Sequence, residues 1–130
     1  MRYLLMLYAD EKAGMAIPKA EMAKVMEKMY AYRDTLAKAG AFVATHALAR
    51  THEAKTLRME GGAVDPGTFV NDTGELTVHD GPYADTREQL GGYFIIEAPD
   101  MDAAIAWAKQ CPAAQWGPVE IRPYNPAVSP

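Results

Sequence analysis

The chain of 130 residues is 49% apolar and 23% charged, with 10 glycines and 9 prolines. This composition is typical of one globular domain and excludes a disordered tail, a collagen and a coiled coil. A net charge of -4, without any run of lysine or arginine, argues against nucleic acid as a partner. Because the single Cys111 cannot close an intramolecular disulfide, we expect one domain, residues 1–130, whose core needs no bridge.

The first nine residues contain one positive charge followed by an apolar run. The run is too short for a signal peptide and ends at Asp10 without a cleavage-like tail, so it predicts a buried strand. No stretch approaches the roughly 18 apolar residues of a membrane helix. We therefore expect a cytoplasmic protein without a membrane partner, since the chain carries neither a signal nor paired cysteines.

A loop at 10–17 is predicted to precede an amphipathic helix that begins at Pro18 and ends at Gly40. Proline is tolerated in a first helical turn, and glycine commonly follows a last one. The apolar residues with helical spacing are Met22, Val25, Met26, Met29, Tyr32 and Leu36. A second strand is predicted within 41–50, where residues 42–45 favour extended backbone.

The middle of the chain, 51–90, is divided by turn signals. They are Gly61-Gly62, Asp65-Pro66-Gly67, Asp72-Thr73-Gly74 and Asp80-Gly81-Pro82. The segments between them predict short hairpin strands at 56–59, 68–70 and 75–78. In the final third we predict a strand at 93–96, a helix with Asp100 as its N-cap that stops at Pro112, and an alternating strand at 117–123.

Residues 3–50 and 92–123 each show the order strand, helix, strand, which predicts an α+β sandwich of the ferredoxin-like, split βαβ type. Residues 3–8 and 93–96 are apolar at both odd and even positions, so both faces of the sheet should carry large apolar side chains. Leaving each of them in water forfeits about 1.5–3 kcal/mol. We expect a second copy of the chain to pack on the second apolar face of the sheet, which gives a homodimer with a dimeric α+β barrel. The alternative is that the hairpin region packs on that face.

One segment resembles the signature of the DGPF subgroup of the YCII-related family. It runs Asp80-Gly81-Pro82-Tyr83-Ala84-Asp85-Thr86-Arg87-Glu88-Gln89-Leu90-Gly91-Gly92-Tyr93. The similarity continues through Ala98-Pro99-Asp100 and Cys111-Pro112-Ala113-Ala114 to residues 119–123. The resemblance implies a dimeric ferredoxin-like barrel but no established reaction. Tyr83 replaces the phenylalanine of the family motif, and the helix histidine credited to the wider family has no counterpart in 18–39.

Asp80 is the candidate catalytic residue, because a carboxylate at a strand end beside an apolar sheet can act as a general base. The interpretation we favour is structural, with the Asp80 side chain accepting backbone N–H groups of its own turn. His79 is adjacent on the strand and should point to the opposite face. Tyr83 is a candidate for substrate binding. Arg87 could hold an anionic group with help from Glu88, although a solvated surface pair is the commoner arrangement.

The chain predicts no metal site and no cofactor. The histidines His46, His52 and His79 lack the spacing of metal ligands. Cys111 has the helical phase of a buried residue, and Gly91-Gly92 precedes a strand and not a helix, so it is no phosphate loop.

Two classes of function follow. The first is binding of a small organic molecule in a cleft of a dimeric α+β barrel. Its catalytic variant is a cofactor-independent isomerase, lyase or hydrolase that uses Asp80 and Arg87, by analogy with relatives of the barrel. The second is a regulatory module, because the resemblance implies association with extracytoplasmic-function sigma factors.

Overall fold

The computed structural model describes residues 1–130. In chain order its helices and strands are β1 (Arg2–Ala9), α1 (Glu11–Met15), α2 (Lys19–Lys38), β2 (Phe42–Ala47), β3 (Lys55–Glu60), β4 (Glu75–Asp80), β5 (Gln89–Glu97), α3 (Met101–Gln110) and β6 (Val119–Tyr124). The chain divides into two compact units. We call Met1–Leu48 with Thr86–Pro130 the sheet unit, and Ala49–Asp85 the hairpin unit.

The sheet unit contains four antiparallel strands in the order β2-β5-β1-β6. In the middle of β1, Met6 lies opposite Tyr93 of β5 on one side and opposite Glu120 of β6 on the other. Two strand–helix–strand repeats that interleave in this order are consistent with a ferredoxin-like fold. The predicted α+β class is confirmed.

Alternation along the two central strands directs their side chains to two faces. The inner face carries Tyr3, Leu5, Phe94 and Ile96, each 3% exposed or less. These residues form one core with Tyr32 and Leu36 of α2 and Ala104 and Ala108 of α3. The outer face carries half-buried Leu4, Met6, Tyr93 and Ile95. The sheet therefore has large apolar side chains on both faces, as the sequence predicts.

The long helix α2 matches its predicted bounds to within two residues, because the two signals at its ends work as expected. Pro18 precedes the first turn with φ -57°, and Gly40 follows the last turn with φ +72°. The left-handed conformation of Gly40 lets the N–H of Ala41 donate to the carbonyl of Leu36 at 2.9 Å. No helix of the chain is long and apolar enough to cross a bilayer.

The predicted loop at 10–17 is largely wrong, since α1 occupies residues 11–15 of it. The side chain of Asp10 accepts from the backbone N–H of Lys12 at 2.9 Å and of Ala13 at 3.3 Å. The N–H of Glu11 donates to the side chain of Gln89 at 3.0 Å. Asp10 thus directly follows β1 and caps α1. This cap starts a helix in a segment whose own residues show only a weak helical pattern.

The hairpin unit contains one antiparallel pair, in which β3 runs beside β4 with Lys55 opposite Asp80 and Glu60 opposite Glu75. The strands predicted at 56–59 and 75–78 are confirmed and are slightly longer than expected. The pairing brings the start of β3 to the end of β4, where the Asp80-Gly81-Pro82 turn begins.

The third hairpin strand, predicted at 68–70, is wrong. That segment is a turn in which the N–H of Phe69 donates to the carbonyl of Asp65 at 2.7 Å. The N–H of Asp65 donates to the carbonyl of Val70 at 2.8 Å, and its side chain accepts from Gly67 at 2.8 Å. Because Asp65 takes up the backbone hydrogen bonds of this segment, residues 68–70 form a turn although their side chains favour a strand.

Candidate functional site

The polar face of the hairpin forms a cleft beside the Asp-Gly-Pro turn. The residues that line it are Thr56, Arg58 and Glu60 of β3, His79 of β4, and Pro82 and Tyr83 of the following turn. The cleft is shallow and open, with a volume of about 200 Å³. Alternate residues of two paired strands point to the same side, so one face collects all of the strand residues in this set. We call it the hairpin cleft.

His79 is held by two polar neighbours on one side of its ring. Its Nε2 lies 2.9 Å from Oε1 of Glu60 and 2.9 Å from Oγ1 of Thr77. The hydroxyl of Thr77 in turn donates to the carbonyl of Arg58 at 3.1 Å. A carboxylate accepts and cannot donate, so the neutral imidazole that pairs with Glu60 carries its hydrogen on Nε2. Nδ1 then carries the lone pair, and the side chain of His79 is 53% exposed.

Arg58 brings a positive charge to the same cleft. Its guanidinium lies over the ring of Tyr83, 5.5 Å from the ring centroid, a distance typical of a cation–π contact. The nearest carboxylate along the strand, Glu60, is already paired with His79. Arg58 forms no salt bridge with a carboxylate, and its charge is available to an anion.

The Asp-Gly-Pro turn fixes the position of Tyr83 above the strands. The N–H of Gly81 donates to the carbonyl of Ala54 at 2.8 Å, and the hydroxyl of Thr56 donates to the carbonyl of Gly81 at 2.8 Å. Gly81 has φ +98°, which is a conformation that other residues rarely adopt. The turn is therefore held to the start of β3 by backbone geometry and by Thr56.

Asp80 lies on the opposite face of the hairpin from His79, as the alternation predicts. Its carboxylate is 86% exposed and pairs with the ammonium of Lys55. The expected hydrogen bonds from its own turn to this side chain do not form, because Gly81 and Thr56 satisfy the turn instead. A carboxylate this exposed keeps its hydration, and its role as a general base stays a prediction.

Tyr83 and Arg87, the other two candidates, lie in different units. Tyr83 is 79% exposed and belongs to the hairpin unit with Asp80. Arg87 belongs to the sheet unit, where its exposed guanidinium lies 3.9 Å from the carboxylate of Asp10. Asp10, and not Glu88, is thus its ion-pair partner. Of the three candidates, only Tyr83 lines the hairpin cleft.

Sequence reasoning missed Arg58 and Glu60 and gave His79 little weight. The signal was present, because residues 56–60 and 75–79 alternate between polar and apolar side chains. Pairing those two strands would have placed Arg58, Glu60 and His79 on one face.

The remaining reactive residues form no second site. No group of three histidine, cysteine, aspartate or glutamate side chains is placed to hold a metal ion. The ring of His46 instead packs against Tyr93, with a centroid distance of 5.8 Å. Cys111 is 1% exposed, and burial raises the pKa of its thiol. That thiol is a poor nucleophile, since the reactive form is the thiolate.

Comparison with known proteins places these features in a family. The model of the YCII-related domain matches residues 1–127. A protein of Rhizobium meliloti (strain 1021), named "Uncharacterized protein R00369", is 32% identical over 135 residues, which cover 100% of this chain and 99% of that relative. The match includes both the sheet unit and the hairpin unit with its cleft. The chain belongs to the YCII-related family.

Proposed function

We propose that the protein binds a small organic molecule in the hairpin cleft and acts as a homodimer. The observation that carries the binding proposal is Arg58, which forms no salt bridge with a carboxylate and whose guanidinium lies over the ring of Tyr83. His79 adds an oriented imidazole at the same place. Small-molecule sites place a few convergent polar groups beside aromatic surface, and the hairpin cleft has this combination in a shallow, open form.

The homodimer proposal is supported by the outer face of the sheet. Its centre consists of the apolar side chains Leu4, Met6, Tyr93 and Ile95. Charged residues lie at its edge, where Arg122 and Glu120 of β6 pair at 3.7 Å. An apolar centre with a polar rim is the pattern of an interface between subunits, and two such faces packed about a twofold axis form a dimeric α+β barrel.

Two narrower assignments belong to the same proposal. Asp80-Gly81-Pro82-Tyr83 supports membership of the DGPF subgroup, in which Tyr83 adds a hydroxyl to the ring of the motif. The single, buried Cys111 and the lack of any disulfide support a cytoplasmic location. The acid–base reaction through Asp80 and the regulatory role stay predictions.

Protein-observed NMR tests the binding proposal on the full chain. We expect some members of a panel of small carboxylates, amines and neutral organic molecules to shift backbone signals of 54–60 and 77–83. Tyr83→Ala should weaken this binding, because it removes one wall of the cleft. Phe69→Ala is the matched control, since Phe69 is an equally exposed aromatic residue, 85% exposed, of the same unit and does not line the cleft. Shifts confined to the sheet unit, or equal effects of both variants, would contradict the proposal.

A further inference from the structure

We propose that the ligand of the hairpin cleft is a planar monocarboxylate and that His79 takes up a proton when it binds. This inference rests on the proposed binding function and narrows it to one chemical class. It combines two observations, the available charge of Arg58 and the one-sided pairing of His79 with Glu60.

The negative charge of the ligand follows from Arg58. A guanidinium stacked on an aromatic ring keeps the N–H donors at its edge, and their fork matches the two oxygens of a carboxylate. Among the residues that line the cleft, the one competing carboxylate is Glu60, which accepts from His79. A ligand carboxylate therefore meets an arginine that forms no salt bridge with a protein carboxylate.

The planar shape of the ligand follows from the size and lining of the cleft. The volume of about 200 Å³ suits a molecule with a single ring. Pro82 and Tyr83 supply flat apolar surface beside the polar strand residues. Aromatic and prolyl surfaces favour a planar partner in offset contact. A carboxylate attached directly to a ring can therefore pair with Arg58 while its ring contacts Pro82 and Tyr83.

The uptake of a proton by His79 is inferred from the charged groups around its ring. Among the residues that line the cleft, these are Arg58 and Glu60 from β3 and the phenol of Tyr83 from the turn. A bound carboxylate adds one negative charge, which stabilises the imidazolium. That cation can donate from Nε2 to Glu60 and from Nδ1 to the ligand at the same time. By linkage, a proton taken up on binding makes the affinity for the carboxylate rise as the pH falls.

Calorimetry with the full chain and benzoate as the probe tests both parts, with benzamide as a neutral molecule of the same shape. We expect benzoate to bind in the millimolar range at pH about 6, at least about tenfold more tightly than benzamide. Its affinity should fall at pH about 8. Titrations in buffers of different ionisation enthalpy should show proton uptake. Arg58→Gln should weaken benzoate binding at least about tenfold, and His79→Gln should leave a binding constant that no longer changes with pH.

Arg33→Gln is the matched control for Arg58→Gln. Arg33 also lies over a tyrosine, with its guanidinium 5.3 Å from the ring centroid of Tyr30, but it sits on α2 beside Asp34 at 3.5 Å. Thermal unfolding of each variant separates loss of binding from loss of fold. Equal affinities for benzoate and benzamide, an unaffected Arg58→Gln, or an equal loss in Arg33→Gln would each overturn the carboxylate assignment. A flat pH profile in the unaltered protein would overturn the role of His79.

The two proposals can fail separately. If benzoate does not bind while amines or neutral molecules shift the cleft signals, the carboxylate assignment is wrong and the binding function stands. If no molecule of the panel shifts those signals, both are wrong.

Discussion

The hydroxyl of Tyr32 donates to the carbonyl of Trp107 at 2.7 Å, which joins α2 to α3. The ring of Tyr32 also meets Phe94 of β5 edge-on, with centroids 5.1 Å apart. Burial raises the pKa of the phenol, so the hydroxyl stays a neutral donor throughout the physiological range. One side chain therefore connects both helices to the sheet.

Tyr32→Phe should lower the free energy of unfolding by about 1–2 kcal/mol, because it leaves the carbonyl of Trp107 without a partner inside the core. Urea unfolding of the variant beside the parent measures the change. Tyr30→Phe is the control, since Tyr30 is 54% exposed and its loss of a hydroxyl should be nearly neutral. Equal losses in the two variants would refute the role of the Tyr32 hydrogen bond.

Gly117→Ala should be strongly destabilising, by at least about 2 kcal/mol. A Cβ atom at this position would lie 1.8 Å from the carbonyl oxygen of Tyr8, and the N–H of Tyr8 is bonded to Pro118 at 3.0 Å. Neither segment can move away without breaking that hydrogen bond. Gly14→Ala in α1 is the opposite case, with no atom within 4 Å of the added Cβ, and it should be neutral or stabilising by up to about 1 kcal/mol. Thermal unfolding that ranked the two variants equally would contradict this account.

Asp80→Asn and Asp80→Ala should each change stability by less than about 1 kcal/mol, because the carboxylate contributes only an exposed pair with Lys55. Gly81→Ala should cost more, about 1–2 kcal/mol, since Gly81 has φ +98°. Chemical unfolding of the three variants gives the order. A larger loss for Asp80→Ala than for Gly81→Ala would restore the hydrogen-bonded turn that the sequence predicts.

Acid should remove a small contribution of Glu97. The side-chain hydrogen bond from Arg2 and the nearby terminal ammonium hold the pKa of this carboxyl below its ordinary value of 4.5. The ionised form is therefore favoured by folding. Its contribution is present above pH 4.5 and is lost as the pH falls through the lowered pKa. Glu97→Gln should flatten that part of a stability-against-pH curve, whereas Glu27→Gln, on the exposed side of α2, should leave its slope unchanged.

Sedimentation should show a particle of twice the 14.2 kDa chain mass at micromolar concentration. Ile95→Lys should shift it to the monomer mass, because Ile95 lies between Leu4 and Ala44 on the outer face of the sheet. Val128→Lys, at a position that is 80% exposed outside the sheet, is the control and should stay dimeric. A monomeric parent protein would contradict the homodimer proposal.

The sequence predicts those parts of the fold that local patterns determine. Pro18, Gly40 and Asp100 mark helix ends by their own backbone chemistry, so α2 and α3 could be placed. The errors at Asp10 and Asp65 have a common cause. In both places an aspartate side chain bonds nearby N–H groups and replaces the structure that the flanking residues suggest.

The candidate site could not be predicted in the same way, because it depends on a register between separate segments. Glu60 and His79 are 19 positions apart in the sequence, and they come into contact only when β3 pairs with β4. The motif drew attention to Asp80, yet strand alternation directs that residue to the other face. What the motif does place is Tyr83, which lies in the cleft.

The strand order of the sheet has a consequence for synthesis of the chain. Both neighbours of β1 come from the last third of the sequence, beginning at Gln89. During translation the apolar β1 emerges first and has no ladder partner, while the hairpin unit can close locally through neighbouring strands. An unpaired apolar strand in a nascent chain is prone to aggregate. Slow translation before residue 89 should therefore lower the yield of folded protein and increase its dependence on chaperones.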